Sequence, residues 1–159
     1  SAGAIVALIL TQVMYGKADL TMLLNGALAG LVSITAEPLT PSLLTSAIVG
    51  GVGGIIVVFG VQLLDSLKID DVVGAIPVHL FAGIWGTLAV AFTNSEAATL
   101  GTQIYSIVVV GIFVVVTSGI VWYILDQVLG IRVAEEDEVQ GLDASELGMD
   151  AYPDFSKSI

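Results

Sequence analysis

LDSLKIDDVVGAIPVHLFAGIWGTLAVA, residues 64–91, sets the single histidine of the chain, His79, inside a long apolar run that begins after two aspartates. An ionisable side chain within an apolar span of that length is costly in hydrocarbon, and such groups generally mark a pathway or a binding point. Most of the remaining chain consists of further apolar runs separated by short polar breaks. Of the 159 residues, 56% are hydrophobic and only 12% are charged. A soluble domain carries about 25% charged residues, so the deficit and the long runs together predict an integral membrane protein.

Working outward from this stretch, the sequence predicts five helical spans, near residues 1–15, 22–36, 43–64, 72–93 and 103–130, and a polar tail over 131–159. The fold class expected is all-α and polytopic; a β-barrel would show alternating segments of about ten residues instead. Ser1–Met14 reaches only ~21 Å at 1.5 Å per residue and reads as the second half of a spanning helix. Gly16 suits the end of that helix. In the second span Gly26 and Gly30 are four apart, and in the third Gly50 and Gly54 repeat the spacing. Small residues at this interval let helices approach closely, which replaces the hydrophobic drive that a bilayer does not supply. Asn25 is the polar exception in the second span. Pro77 removes a backbone donor and is expected to kink or loosen the turn before His79. Trp122 and Tyr123 are candidate interfacial anchors.

Charge fixes a direction. Lys17, Lys68, Arg132 and Lys157, all four basic residues, fall after spans one, three and five, on the same side of a five-span chain. The positive-inside rule assigns that side, and the tail, to the cytoplasm. The tail holds eight acids against two bases, so it carries −6 of the formal net charge of −11. No basic cluster supports nucleic-acid binding. The absence of cysteine removes disulfides, thiolate metal sites and cysteine nucleophiles. No GxSxG, HExxH or P-loop pattern appears, and a haem or metal site would need ligands beyond one histidine. The sequence therefore points to no enzyme, no cofactor and no metal.

Two readings of His79 stand side by side. It can line a path for a small polar molecule, donating from one ring nitrogen and accepting at the other, or it can be a buried structural histidine bonded to a carbonyl. Asp70 and Asp71 suit the cap and dipole of the following helix. Glu37, beside Pro38, reads as a solvated loop acid. The acidic tail is either solvated or a docking surface.

Three stretches together resemble the ammonium transporter family (Amt/Mep/Rh): LLNGALAGLVSITA at 23–36 with Pro41, the run over residues 64–89, and GIRVAEEDEVQGLD at 130–143 followed by GMDAY at 148–152. The resemblance covers nearly the whole chain. It implies roughly the last five of eleven helices and the cytoplasmic tail of a trimeric plasma (inner) membrane protein. It also implies a narrow hydrophobic pore for ammonium or ammonia, lined in part by two facing histidines. His79 matches the second of the pair, and Ala75 matches an apolar pore-lining position. The other histidine, the outer recruitment site and the phenylalanine gate belong to the half that this chain does not resemble. Ser145 matches a hydroxyl position that is a phosphorylation switch in plant relatives, and prokaryotic members meet PII-type signal proteins. Val72 and Pro77 depart from the family pattern, which often has proline and a small residue there; Leu147 stands where histidine is usual. The competing expectation is a membrane-anchored regulatory module whose acidic tail recruits a cytosolic partner.

Overall fold

The computed structural model describes residues 1–151. Tyr152, Asp154 and Lys157 of the tail lie outside the described residues. The described chain is helical, with no strand among the described residues: α1 Ala2–Tyr15, α2 Leu20–Thr35, α3 Leu43–Ser66, a π-helical turn Ile76–Phe81 running into α4 Ala82–Thr93, α5 Leu100–Leu129, and two short tail helices, α6 Glu135–Gln140 and α7 Leu142–Leu147. It divides into two compact units, Ser1–Val110 and Gly111–Ile159.

In the first unit, glycines decide the packing. Gly3 of α1 sits between α2 and α3. A Cβ placed on Gly26 would lie 2.7 Å from the Gly3 carbonyl oxygen, and one on Gly54 would lie 2.9 Å from the Gly3 Cα. Gly30 and Gly50 face each other, with a Cβ on Gly50 meeting the Gly30 Cα at 3.6 Å. Three backbones thus touch with almost no side chain between them, as expected from both small-residue pairs. Around this contact Ala7, Ala29, Val57, Val58, Val78 and Ala82 form the buried core.

Polar groups are satisfied locally, as a lipid-facing chain requires. The Thr11 hydroxyl donates to the Ala7 carbonyl at 3.0 Å, and Ser33 donates to Ala29 at 2.7 Å. The Trp85 indole Nε1 donates to the Val49 carbonyl at 3.0 Å and ties α4 to α3. Gly16 closes α1 in the left-handed conformation, φ 70°, its N–H bonded to Gln12.

Three helix starts differ from the sequence expectation; α5 begins at Leu100, three residues before the expected 103. α2 begins at Leu20, not Met22, because the Asp19 carboxylate accepts from the Met22 N–H at 2.9 Å and caps the helix earlier. The fourth helix begins at Ile76, not Val72. Gly74 takes φ 74°, which breaks the helical path, and Asp71 then caps the turn that starts beyond the break. Among the described residues three helices are long and apolar enough to cross a membrane: Leu43–Ser66, Ile76–Thr93 and Leu100–Leu129. Ala2–Tyr15 and Leu20–Thr35 are apolar but shorter. No residue of α5 is buried. Trp122 and Tyr123 are both exposed on it.

Glu37 is a loop acid, as its sequence context suggests, and it is also tied to two partners. One carboxylate oxygen accepts from the Thr40 hydroxyl at 2.8 Å, and the other accepts from the Asn94 amide at 3.0 Å. Asn94 is the C-cap of α4, so the tie joins the α2–α3 loop to the end of α4. The Asn94 bond, then the Thr40 hydroxyl bond, hold the Glu37 pKa below its ordinary value. A depressed folded-state pKa stabilises the fold above the unfolded carboxylate range, and the contribution is lost as pH falls through the folded value. Glu37→Ala is therefore expected to lower the thermal midpoint slightly at neutral pH and to flatten its decline on acidification. Melting curves of both proteins between neutral and strongly acidic pH check this; parallel declines would refute it.

In the second unit, Arg132 and Glu138 form an exposed ion pair at 2.8 Å. An exposed pair of this kind contributes about 0–1 kcal/mol. Gly148 ends α7 at φ 64°, and the Asp143 carboxylate accepts from the Ala151 N–H at 2.8 Å. Backbone N–H groups, that of Ala151 foremost and then Ala144, hold the Asp143 pKa down.

Candidate functional site

The site is built on the π-helical turn. Pro77 stands in the first turn of this helix, beyond the break at Gly74, where its missing N–H costs no helical bond. The turn is wide: the Ala82 N–H reaches back five residues to the Pro77 carbonyl, and also to that of His79. Single π-turns of this kind are frequent at functional positions. The turn is pinned at its start, where both Asp71 carboxylate oxygens accept at 2.8 Å, one from the Ala75 N–H and the other from the Ile76 N–H.

Its inner face is set by α3. A Cβ on Gly60 would lie 2.8 Å from the Pro77 Cβ and 3.0 Å from the Phe81 Cδ2, so both side chains press on the bare backbone there. Pro77 and Val78 are buried as a result. Ala75, His79 and Leu80 are exposed. Ala75 and His79 are four residues apart, about one turn of helix. His79 thus stands at the surface of the first unit, not enclosed by it, with a methyl-sized residue beside it along the turn. An imidazole so placed offers a donor and an acceptor to whatever passes along that face.

Of the two pore positions expected from the sequence, His79 is exposed on this turn and Ala75 is exposed at its N-cap. Ser145 lies far along the chain, exposed on α7 in the second unit. Asn25, in sequence only a polar exception, belongs to the turn: its amide Nδ2 donates to the Val73 carbonyl at 2.9 Å from a buried position in α2. The signal in the sequence is one polar residue among apolar ones; its partner, 48 residues on, is not readable there. Among the described residues no three His, Cys, Asp or Glu side chains come together as a metal site.

Comparison with known proteins accounts for this arrangement of helices. The Ammonium Transporter Family pattern matches residues 1–152. Ammonium transporter Amt2 of Archaeoglobus fulgidus is 36% identical over 98% of this chain and 37% of its own length. Ammonium transporter Amt1 of Haloferax mediterranei is 36% identical over 97% of this chain and 31% of its own. A solved structure, described as a Sensor Amt Protein, superposes with a TM-score of 0.81 at 29% identity, covering 91% of this chain and 38% of that one. The chain spans about a third of the length of the curated relatives it matches. In sequence and in the packing of its helices, this chain belongs to the Ammonium Transporter Family.

Proposed function

We propose that the chain supplies one wall of a path for ammonium or ammonia across a membrane, with His79 and Ala75 lining it. The observation that carries this reading is the exposure of His79 on the π-turn and of Ala75 at its N-cap, four residues apart in a segment packed against apolar helices. An apolar path penalises an ion by several kcal/mol, whereas a neutral ammonia molecule avoids most of that cost. The imidazole orients the molecule or relays its proton, and Ala75 keeps the neighbouring wall apolar and narrow. The opposite wall would come from residues beyond this third of the relatives' length. The loops with Lys17 and Lys68 and the tail would face the cytoplasm of a plasma-membrane protein, in keeping with their charge. The working assembly would be a homotrimer. The exposed α7 carrying Ser145 would be the regulatory end, open to modification and to a PII-type signal protein.

His79→Ala tests the reading. In the full-length gene product, the variant is expected to change ammonium transport or its selectivity over potassium by about tenfold or more, equivalent to ~1.4 kcal/mol in a barrier. Uptake and competition assays in a strain lacking its own ammonium transporters measure this. Unaltered transport and selectivity, with partner capture that depends on residues 131–151, would instead favour the membrane-anchored regulatory module.

A further inference from the structure

We propose that Gly60 of α3 is a positioning residue for His79: the bare backbone there seats the π-turn, and the depth of that seat sets how far the imidazole stands out from the bundle. This deepens the pore reading above and rests on it. Gly60 is buried, and Val57 and Leu64, three residues before it and four after, are buried on the same face of α3. The glycine is therefore a notch between two apolar side chains. Two residues of the turn close on it. A Cβ at position 60 would stand 2.8 Å from the Pro77 Cβ, 3.2 Å from the Pro77 Cγ and 3.0 Å from the Phe81 Cδ2. Pro77 and Phe81 are four residues apart, so one side of the turn makes both contacts.

His79 lies midway between those two residues in sequence. Residues two apart on a helix do not share a face, and the burial agrees: Pro77 is buried and His79 is exposed. The imidazole thus leaves the turn on the side away from α3, and any step of the turn off α3 carries it outward. Hard contacts set the size of that step. Carbon atoms pack at about 3.5–4.0 Å, so a methyl at position 60 would drive the Pro77 ring off by roughly an ångström. The ring cannot rotate out of the way, because it is closed onto its own backbone nitrogen. The Ala82 N–H is bonded to the Pro77 and His79 carbonyls, so the backbone that carries the imidazole moves with the ring. Functional groups need to be held within about 0.5 Å of their working geometry, and the displacement exceeds that.

The test is made in the full-length gene product with Gly60→Ala, Pro77→Gly and both together, and with Gly51→Ala and His79→Ala alongside. Ammonium transport per folded protein, its selectivity over potassium and the thermal midpoint are read for each. The nitrogen-15 signals of the His79 ring, identified by their loss in His79→Ala, are read as well. Gly60→Ala is expected to lower transport about tenfold and to shift the ring signals. Pro77→Gly takes away both ring atoms that the new methyl would meet. In that background the change at 60 is expected to alter transport less than about twofold. Gly51→Ala makes the same exchange on the same helix, where its Cβ would meet only the Val6 Cγ2 at 3.6 Å, and is expected to leave transport and ring signals unchanged. A lower midpoint in Gly60→Ala with unchanged transport and ring signals would overturn the proposal, since a merely structural seat gives that result. So would a loss of transport with unmoved ring signals, or equal losses in the Pro77 and Pro77→Gly backgrounds. If Gly60→Ala does not fold, recovery of folding and transport in the double variant supports the seat and failure to recover refutes it. If His79→Ala itself leaves transport and selectivity unchanged, the pore reading has failed and Gly60 has nothing to position. If His79→Ala alters them and Gly60→Ala does not, only the positioning role is lost.

Discussion

Gly54→Leu is expected to prevent α1 from packing on α3 and to leave little folded protein. A Cβ at Gly54 would be 2.9 Å from the Gly3 Cα and 3.0 Å from the Gly3 carbonyl carbon, backbone atoms that no rotamer change can move away. The helices would have to separate, and Gly3 also holds the α1–α2 contact at Gly26. One extra methyl in a filled core costs about 1–3 kcal/mol, and leucine adds four carbons against total stabilities of about 5–15 kcal/mol. Gly54→Ala should show the milder form as a clearly lower melting midpoint in detergent. Gly51→Ala is the internal control, because its Cβ would meet only the Val6 Cγ2 at an ordinary 3.6 Å. Equal midpoints for the two alanine variants would show that the close backbone contact does not limit stability.

Asp71→Ala carries the second large effect. Its carboxylate is bonded to two successive N–H groups at the entrance to the π-turn, each at 2.8 Å. Hydrogen bonds to a charged group contribute about 1.5–3 kcal/mol each, although a solvent-accessible cap recovers part of that from water, and loss of a cap costs about 0.5–2 kcal/mol. A destabilisation near the top of the capping range is expected. Asp71→Asn keeps one acceptor oxygen and should retain part of the stability. Hydrogen exchange at the Ala75 and Ile76 amides localises the effect: both should exchange faster in the alanine variant while the α1–α3 contact keeps its protection. Unchanged exchange at these two amides would refute the capping role.

Much of this fold is readable from residue spacing. The four-residue interval of Gly26/Gly30 and Gly50/Gly54 states which faces must approach, because the interval is a property of the helix itself. The third participant, Gly3, has a partner at the same interval in Ala7, and both are buried, but an alanine is a weaker signal than a second glycine. Pro77 marks an irregular stretch, but the wide bonding of the turn is not readable from its missing N–H, which falls in the first turn. The bond from Asn25 to Val73 is not readable either, since the two meet only once α2 and the segment before the turn are packed. Glu37 shows the same limit. Its partner Asn94 is 57 residues away, and a glutamate beside proline looks like any solvated loop acid until the two ends are brought together. His79 stands out because it is the chain's sole histidine, whereas its exposure depends on which face of the turn α3 covers.

The indole bond from Trp85 to Val49 has an optical consequence. The chain has two tryptophans: Trp85 is half-buried and bonded across to α3, and Trp122 is 61% exposed. Their emission therefore arises from unlike surroundings, and quenchers dissolved around the protein reach the second more readily than the first. With phenylalanine at 122 the remaining fluorophore is tethered to α3, the helix against which the His79 turn is seated. The family fold has in this way placed a native light-emitting gauge of that seating inside the bundle, one that needs no label and leaves every residue of the path untouched.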